Sequence, residues 1–197
     1  MLRNTFNTTS SRTYGALHII SKHVDGSIVV AQFAAQINDL DHLAHASFGV
    51  QARILEAVKT VARHINGSAE AGVPSGYGRR VLYEVPDRWS LAAIIFRPGQ
   101  QTELHDHGGW GCAVTVQGIE RDRRFTHDVS GNLVLSAQRD YRAGMGYVFS
   151  SVDVHQPVGA DPYRLTIALH FLVHDSGHHN VKPEAIAVPN ERIKIAA

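Results

Sequence analysis

The rhythm of apolar and polar residues changes once along this chain, near residue 66. Before that point apolar side chains recur every three to four positions. Val29, Phe33, Ile37 and Leu40 form one stripe; Val50, Ile54, Leu55, Val58, Val61, Ala62 and Ile65 form another. Such spacing gathers apolar groups on one face of a helix. It predicts a helical section within residues 16–66, closed by Asn66-Gly67. Residues 1–15 carry no such pattern and read as a polar tail.

After a small-residue linker at 67–78 the period becomes 2. Strands are expected at 80–85, 90–96, 102–107, 112–116, 120–126, 133–137, 146–150, 155–158 and 164–173. Turn pairs such as Pro98-Gly99, Gly108-Gly109 and Gly131-Asn132 separate them. In the last strand the two faces differ. Leu165, Ile167, Leu169, Phe171 and Val173 are all apolar and should be core. Thr166, Ala168, His170, Leu172 and His174 mix small, apolar and imidazole groups, as a pocket wall would. Short strands after helices predict a mostly β fold: a β-barrel or jelly roll over 77–174 with N-terminal α-helices. Residues 175–197 are polar and should wrap the surface.

Composition narrows the function. A chain of 197 residues can build one domain with a real core. A net charge of +1 gives no basic field for nucleic acid. No apolar run approaches the roughly 20 residues of a membrane span. The single cysteine, Cys112, excludes an internal disulfide, and with no signal-peptide pattern the expected compartment is the cytoplasm. The 13 histidines are the departure from the ordinary. Most, including His18, His23, His42, His45, His64 and the adjacent His178 and His179, lack metal-ligand spacing and read as surface or packing residues.

His105 and His107 are different. On a strand, residues i and i+2 face the same side, so both imidazoles can converge on one metal ion. About one H-x-H pair is expected by chance at this histidine frequency, so the pair alone is weak. Its frame is stronger: Gly99 lies six residues before His105, and Gly118 closes the strand that follows. His155, after the glycine-bounded strand GMGYVFSSVDVH, is the best third ligand. Three neutral imidazoles would leave coordination positions open and would tolerate an anionic thiolate. Imidazole suits Fe, Zn, Cu and Ni alike, so the donor set does not choose the metal.

Gly99-x5-His105-x-His107-x10-Gly118 resembles the first motif of the cupin superfamily, with Gly111 where a glutamate usually stands. With HDHGGWG, the later D-V-H and an upstream arginine, the chain resembles the cysteine dioxygenase family, and within it the bacterial thiol dioxygenases. The resemblance spans roughly 77–172. It implies a single cupin domain over 16–197, with Fe(2+) held by His105, His107 and His155. It implies that Arg79 binds a substrate carboxylate beside Tyr77, with Arg80 as the alternative. It places His170 in the family's Ser-His-Tyr relay and makes Trp110 a pocket wall. The relay serine is Ala168 here, and the relay tyrosine is Leu172. Cys112 should face away from the site, so no cysteine–tyrosine cross-link is expected. The implied activity is oxidation of a small carboxylate-bearing thiol (cysteine, 3-mercaptopropionate or mercaptosuccinate) by O2 to its sulfinic acid. The rival readings are a cupin metalloenzyme of another class, such as a carbon-substrate dioxygenase or an isomerase, and a non-catalytic metal-binding cupin.

Overall fold

The apolar stripes of the first third become two α-helices. In the computed structural model, which describes residues 18–20, 26–68 and 77–174, α1 spans Gly26–Asn38 and α2 spans Phe48–His64. A 3-10 turn, Leu43–His45, lies between them. The stripe residues Val29, Phe33 and Ile37 of α1 and Ile54, Val58, Val61 and Ala62 of α2 are buried. The helical expectation is corrected at both ends. Here His18–Ile20 is a short strand, β1, antiparallel to β2 at Asn66–Ser68. Ile65 leaves α2 in extended geometry and is buried, so Asn66-Gly67 continues into β2 instead of capping the helix. The expected tails at 1–15 and 175–197, and linker residues 69–76, lie outside the described residues.

Eight further strands follow. They are β3 (Gly78–Val85), β4 (Trp89–Phe96), β5 (Gly111–Gln117), β6 (Ile119–His127), β7 (Leu133–Arg142), β8 (Gly146–Phe149), β9 (Val154–Gly159) and β10 (Thr166–Val173). They form a five-stranded sheet ordered β3-β4-β10-β5-β8 and a three-stranded sheet ordered β7-β6-β9, antiparallel throughout. The fold is therefore mostly β, with helices N-terminal to the sheets, as the pattern predicts. The expected strand at 102–107 is the exception. Only Gln101 and His105 form isolated bridges, to Val158 and His155. Between them Thr102 donates its N–H to the Pro157 carbonyl at 3.0 Å, and Pro157 has no N–H to return. The ladder is broken there.

The two faces of β10 separate as their composition predicts. Leu169, Phe171 and Val173 pack with Trp89, Leu91, Ala93, Cys112 and Val114 beneath the helices. Phe33 of α1 sets its ring edge-on against Trp89 at 5.8 Å and Phe171 at 5.9 Å. Trp89 Nε1–H donates to Asn38 Oδ1 at 3.1 Å. The opposite face of the larger sheet looks toward the smaller one. Rows of paired residues cross it: Ser90, Leu172, Gly111 and Phe149 in one, and Ala92, His170, Ala113 and Tyr147 in the next. The Thr115 hydroxyl donates to the Tyr141 carbonyl and the Thr166 hydroxyl to that of Ile119, tying the two sheets together. Among the described residues no helix is long and apolar enough to cross a membrane.

Phe171 is fully buried and shared by Phe33, Trp89 and Trp110. Phe171→Ala should cost about 3–5 kcal/mol, read as a lower urea midpoint at unchanged slope.

Candidate metal centre

The site begins with backbone geometry. His105 N–H donates to the His155 carbonyl at 3.0 Å, and His155 N–H donates back to that of His105 at 2.8 Å. This reciprocal bridge sets the two residues side by side on facing chain segments. His107 follows two residues on. The ring centroids of His105, His107 and His155 lie 4.7–5.1 Å apart. One nitrogen from each falls within 4.8 Å of the others. His107 Nε2 and His155 Nε2 are 2.9 Å apart. Asp106, between the two motif histidines, is exposed to solvent. The three expected ligands are thus brought together. His42 and His45 are exposed, and His64 Nδ1 bonds the Thr60 carbonyl within its own helix.

Each imidazole needs one lone pair free for a metal, and the surroundings supply it twice. The His105 Nδ1–H donates to the Glu103 carbonyl at 2.7 Å, so Nε2 is the free donor. The His155 Nδ1–H donates to Asp122 Oδ1 at 2.8 Å. Asp122 Oδ2 accepts from Arg124 Nε at 2.8 Å, and Arg124 Nη1 reaches Asp153 at 3.1 Å. A carboxylate behind a ligating imidazole fixes its tautomer and raises its basicity. Burial works to raise the Asp122 pKa, but the hydrogen bonds and charges of His155 and Arg124 outweigh it and hold the carboxyl below its usual value. Burial, then the charge of His155, lowers His105 to a pKa of about 4. Burial and the same neighbours depress His107 further. The His105 and His107 rings are therefore neutral, as metal coordination requires. The donor set fits a first-row divalent ion.

The position after the histidine pair explains why no acidic fourth ligand stands there. A Cβ on Gly111 would meet Phe149 Cζ and the Phe171 carbonyl, each at 2.5 Å. The Phe149 ring fills that space and faces His107 at 4.9 Å and His155 at 5.1 Å. A tilted aromatic ring, and no carboxylate, stands on this side of the ligands. Gly118 is also required: it adopts φ +75°, and a side chain would meet the Leu165 carbonyl at 2.8 Å.

The other expected site residues divide. His170 and Leu172 lie on the inward face of β10, with Leu172 packed on the Ala113, Tyr141, Tyr147 and Phe149 cluster. Trp110 is corrected. Its indole packs with Phe171 under the helices and donates to the Leu43 carbonyl at 2.8 Å. It belongs to the helix–sheet core instead of walling the site, because the residue just before β5 has its side chain turned to the helix side. Cys112 also faces the helices, fully buried, and burial pushes its thiol pKa well up. Arg79 pairs with Ile94, so its register is on the inward face, whereas Arg80 pairs with Ala93 on the helix side. Arg79 is exposed, and Tyr77, 42 % exposed, sets its ring against Phe96 at 5.8 Å. No hydrogen bond or ring contact joins either to the three histidines among the described residues. Asp122, Glu120 and Phe149 were not foreseen. The only signal was the E-x-D-x-R alternation of β6, which puts Glu120, Asp122 and Arg124 on one face.

No family model matches the chain. Among solved structures it is similar to a protein with a double-stranded β-helix domain from Klebsiella pneumoniae, at 15% identity and TM-score 0.43 over 52% of this chain and 81% of that one. It is similar to a cupin superfamily protein from Desulfitobacterium hafniense, at 14% identity and TM-score 0.42 over 60% and 88%. It is also similar to KdgF from Halomonas sp., at 16% identity and TM-score 0.41 over 52% and 84%. These likenesses concern the fold.

Two outcomes follow from the geometry. Asp122→Asn should weaken divalent metal binding about 10- to 100-fold in a chelator competition, with far-UV circular dichroism unchanged. His105 titrates at about 4 when folded against 6.5 when unfolded, so between those values the unfolded chain binds the extra proton. Stability of the metal-free protein is then full above pH 6.5 and falls as pH drops toward 4. Thermal midpoints across that window should decline with acidity, and His105→Gln should lessen the decline, with His107 accounting for the remainder. A wild-type midpoint independent of pH would show that the ring is not held neutral.

Proposed function

We propose that this protein is a mononuclear non-haem iron(II) thiol dioxygenase that converts a small carboxylate-bearing thiol and O2 to the sulfinic acid. The observation that supports it is the donor set: three neutral imidazoles with Phe149, and no carboxylate, at the fourth position. A neutral donor set leaves the metal's charge for an anionic substrate. Iron bound by His105, His107 and His155 would supply the redox chemistry with dioxygen. The remaining work belongs to the chain. Asp122 holds His155 in one tautomer. Phe149 and Leu172 keep one side of the site apolar and exclude water from it. Arg79 takes the substrate carboxylate as a bidentate pair, an assignment supported by its inward register and by its having no other partner among the described residues. Tyr77 borders that approach.

A second reading, a cupin metalloenzyme acting on a carbon substrate, draws on Ala168 and Leu172, which remove two polar groups of the thiol dioxygenase relay. One screen separates the two. Metal content of the purified protein is measured first, then oxygen uptake with cysteine, 3-mercaptopropionate and mercaptosuccinate. Uptake matched by sulfinate formation supports the first reading; iron-replete protein that consumes no oxygen with any thiol acid overturns it. In the active case Arg79→Ala should raise KM about 10- to 100-fold, the worth of a charge-assisted hydrogen bond, at unchanged iron content. Loss of iron in that variant would mean that Arg79 supports the fold and not the substrate.

A further inference from the structure

We propose that Glu120 is the positioning residue of the site: it takes the Nε2 proton of His170 into a hydrogen bond and so presents the Nδ1 lone pair to a hydrogen-bond donor on the bound substrate. This rests on the site reading above, but its first test does not.

The observation is a contact between the two sheets. His170 Nε2 lies 2.8 Å from Glu120 Oε1, with Glu120 fully buried and His170 5% exposed. In the arrangement proposed, that oxygen accepts, which puts the hydrogen on Nε2 and leaves Nδ1 its lone pair. Nδ1 makes no hydrogen bond among the described residues. The surroundings of His170 on its own sheet offer it nothing. Ala92 and Ala113 are its cross-strand partners, and Ala168 and Leu172 are its inward neighbours along β10. The tautomer is therefore decided from the facing sheet, by β6. His170 stands on the inward face in the row next to Leu172, Gly111 and Phe149, and the Phe149 ring lies 4.9 Å from that of His107. The imidazole thus belongs to the same inter-sheet interior as the three histidines.

A stability role does not account for Glu120. A buried carboxylate is costly to desolvate, and a hydrogen-bonded pair in a protein interior seldom outperforms apolar residues of the same size. Among the described residues its second oxygen, Oε2, has no partner, and neither has the buried Tyr147 hydroxyl on β8. Burial and then the charge of Glu120 raise the Tyr147 pKa, so the phenol stays protonated with a hydrogen to give. The same geometry narrows the substrate. A neutral imidazole nitrogen with its lone pair exposed selects a ligand that carries an N–H or O–H group near the metal-bound thiolate, and it rejects one with only acceptors there.

The test uses the full-length, metal-free protein with 15N-labelled imidazoles, read by long-range proton–nitrogen spectra at alkaline pH. Wild-type His170 should appear as the Nε2–H tautomer. Glu120→Leu should convert it to a mixture containing Nδ1–H, whereas Glu120→Gln, whose amide oxygen still accepts, should keep it. Should the leucine variant fail to fold, Glu120→Ser, too short to reach Nε2, takes its place. A wild-type Nδ1–H tautomer, or a tautomer unmoved in the leucine or serine variant, overturns the proposal. In iron-loaded protein that turns over a thiol, the leucine variant should lose roughly tenfold or more in kcat at unchanged KM and iron content, with glutamine restoring most of it. A kcat insensitive to both changes would also overturn the proposal. Absence of turnover with any thiol would count against the dioxygenase reading alone, since the tautomer result stands without it.

Discussion

Two hydrogen bonds between the backbones of His105 and His155 hold the rest of the site in place. They join a segment with no regular ladder of its own to the start of β9. With the Gln101–Val158 bridge and the Thr102–Pro157 bond they lay the 97–110 connection along β9, and His107 comes within 2.9 Å of His155. Burial keeps the His105 and His107 rings neutral, and neutrality is what makes an imidazole a ligand. Desolvation and donor capacity form a single causal line here.

The interior between the sheets is unusual in what it tolerates. One strand, β6, sends Glu120, Asp122 and Arg124 inward in succession. Each is matched by a named partner: His170 for Glu120, His155 for Asp122, and Asp122, Asp153 and the Val148 carbonyl for Arg124. Buried charge persists when it is paired and hydrogen-bonded, and its usual return is geometric definition more than stability. That definition falls on two imidazoles, one in the metal group and one beside it. The apolar core lies on the other side of the larger sheet, under the helices, where Phe33, Trp89 and Phe171 meet. The molecule separates its two tasks by the two faces of one sheet.

That separation decides how much could be read from the amino-acid sequence. The faces of β10 were legible because one is wholly apolar and the other is not, so period 2 assigns them without ambiguity. The histidine pair and His155 were legible because the glycine frame and the strand pattern agree. β6 was not legible. In E-R-D-R-R both faces are charged, and alternation alone cannot tell an inward carboxylate from a solvated one. Trp110 is misplaced by the family resemblance, since strand phase alone sets it two residues before Cys112 and on the same helix-facing side. The irregularity at 102–107 depends on Pro157, more than fifty residues away, failing to return a hydrogen bond. The misses at β6 and 102–107 each concern a partner supplied from a distant segment, which local periodicity does not carry.

Gly111 is where these lines meet. Read as a letter in a motif, it is only the absence of a glutamate. In the folded chain it is a requirement, since the ring of Phe149 and the carbonyl of Phe171 occupy the space a side chain would need. The glycine and the phenylalanine are thus one feature, and changing either alone leaves a clash or a void. Phe149 in turn belongs to a cluster that includes Tyr147, the phenol near Glu120. The ring that takes the place of a fourth ligand and the phenol near the positioning carboxylate stand two residues apart on one short strand. β8 thereby packs one side chain against the histidine group and sets another near Glu120. A change in one should be felt by the other, through packing instead of through any bond to the metal.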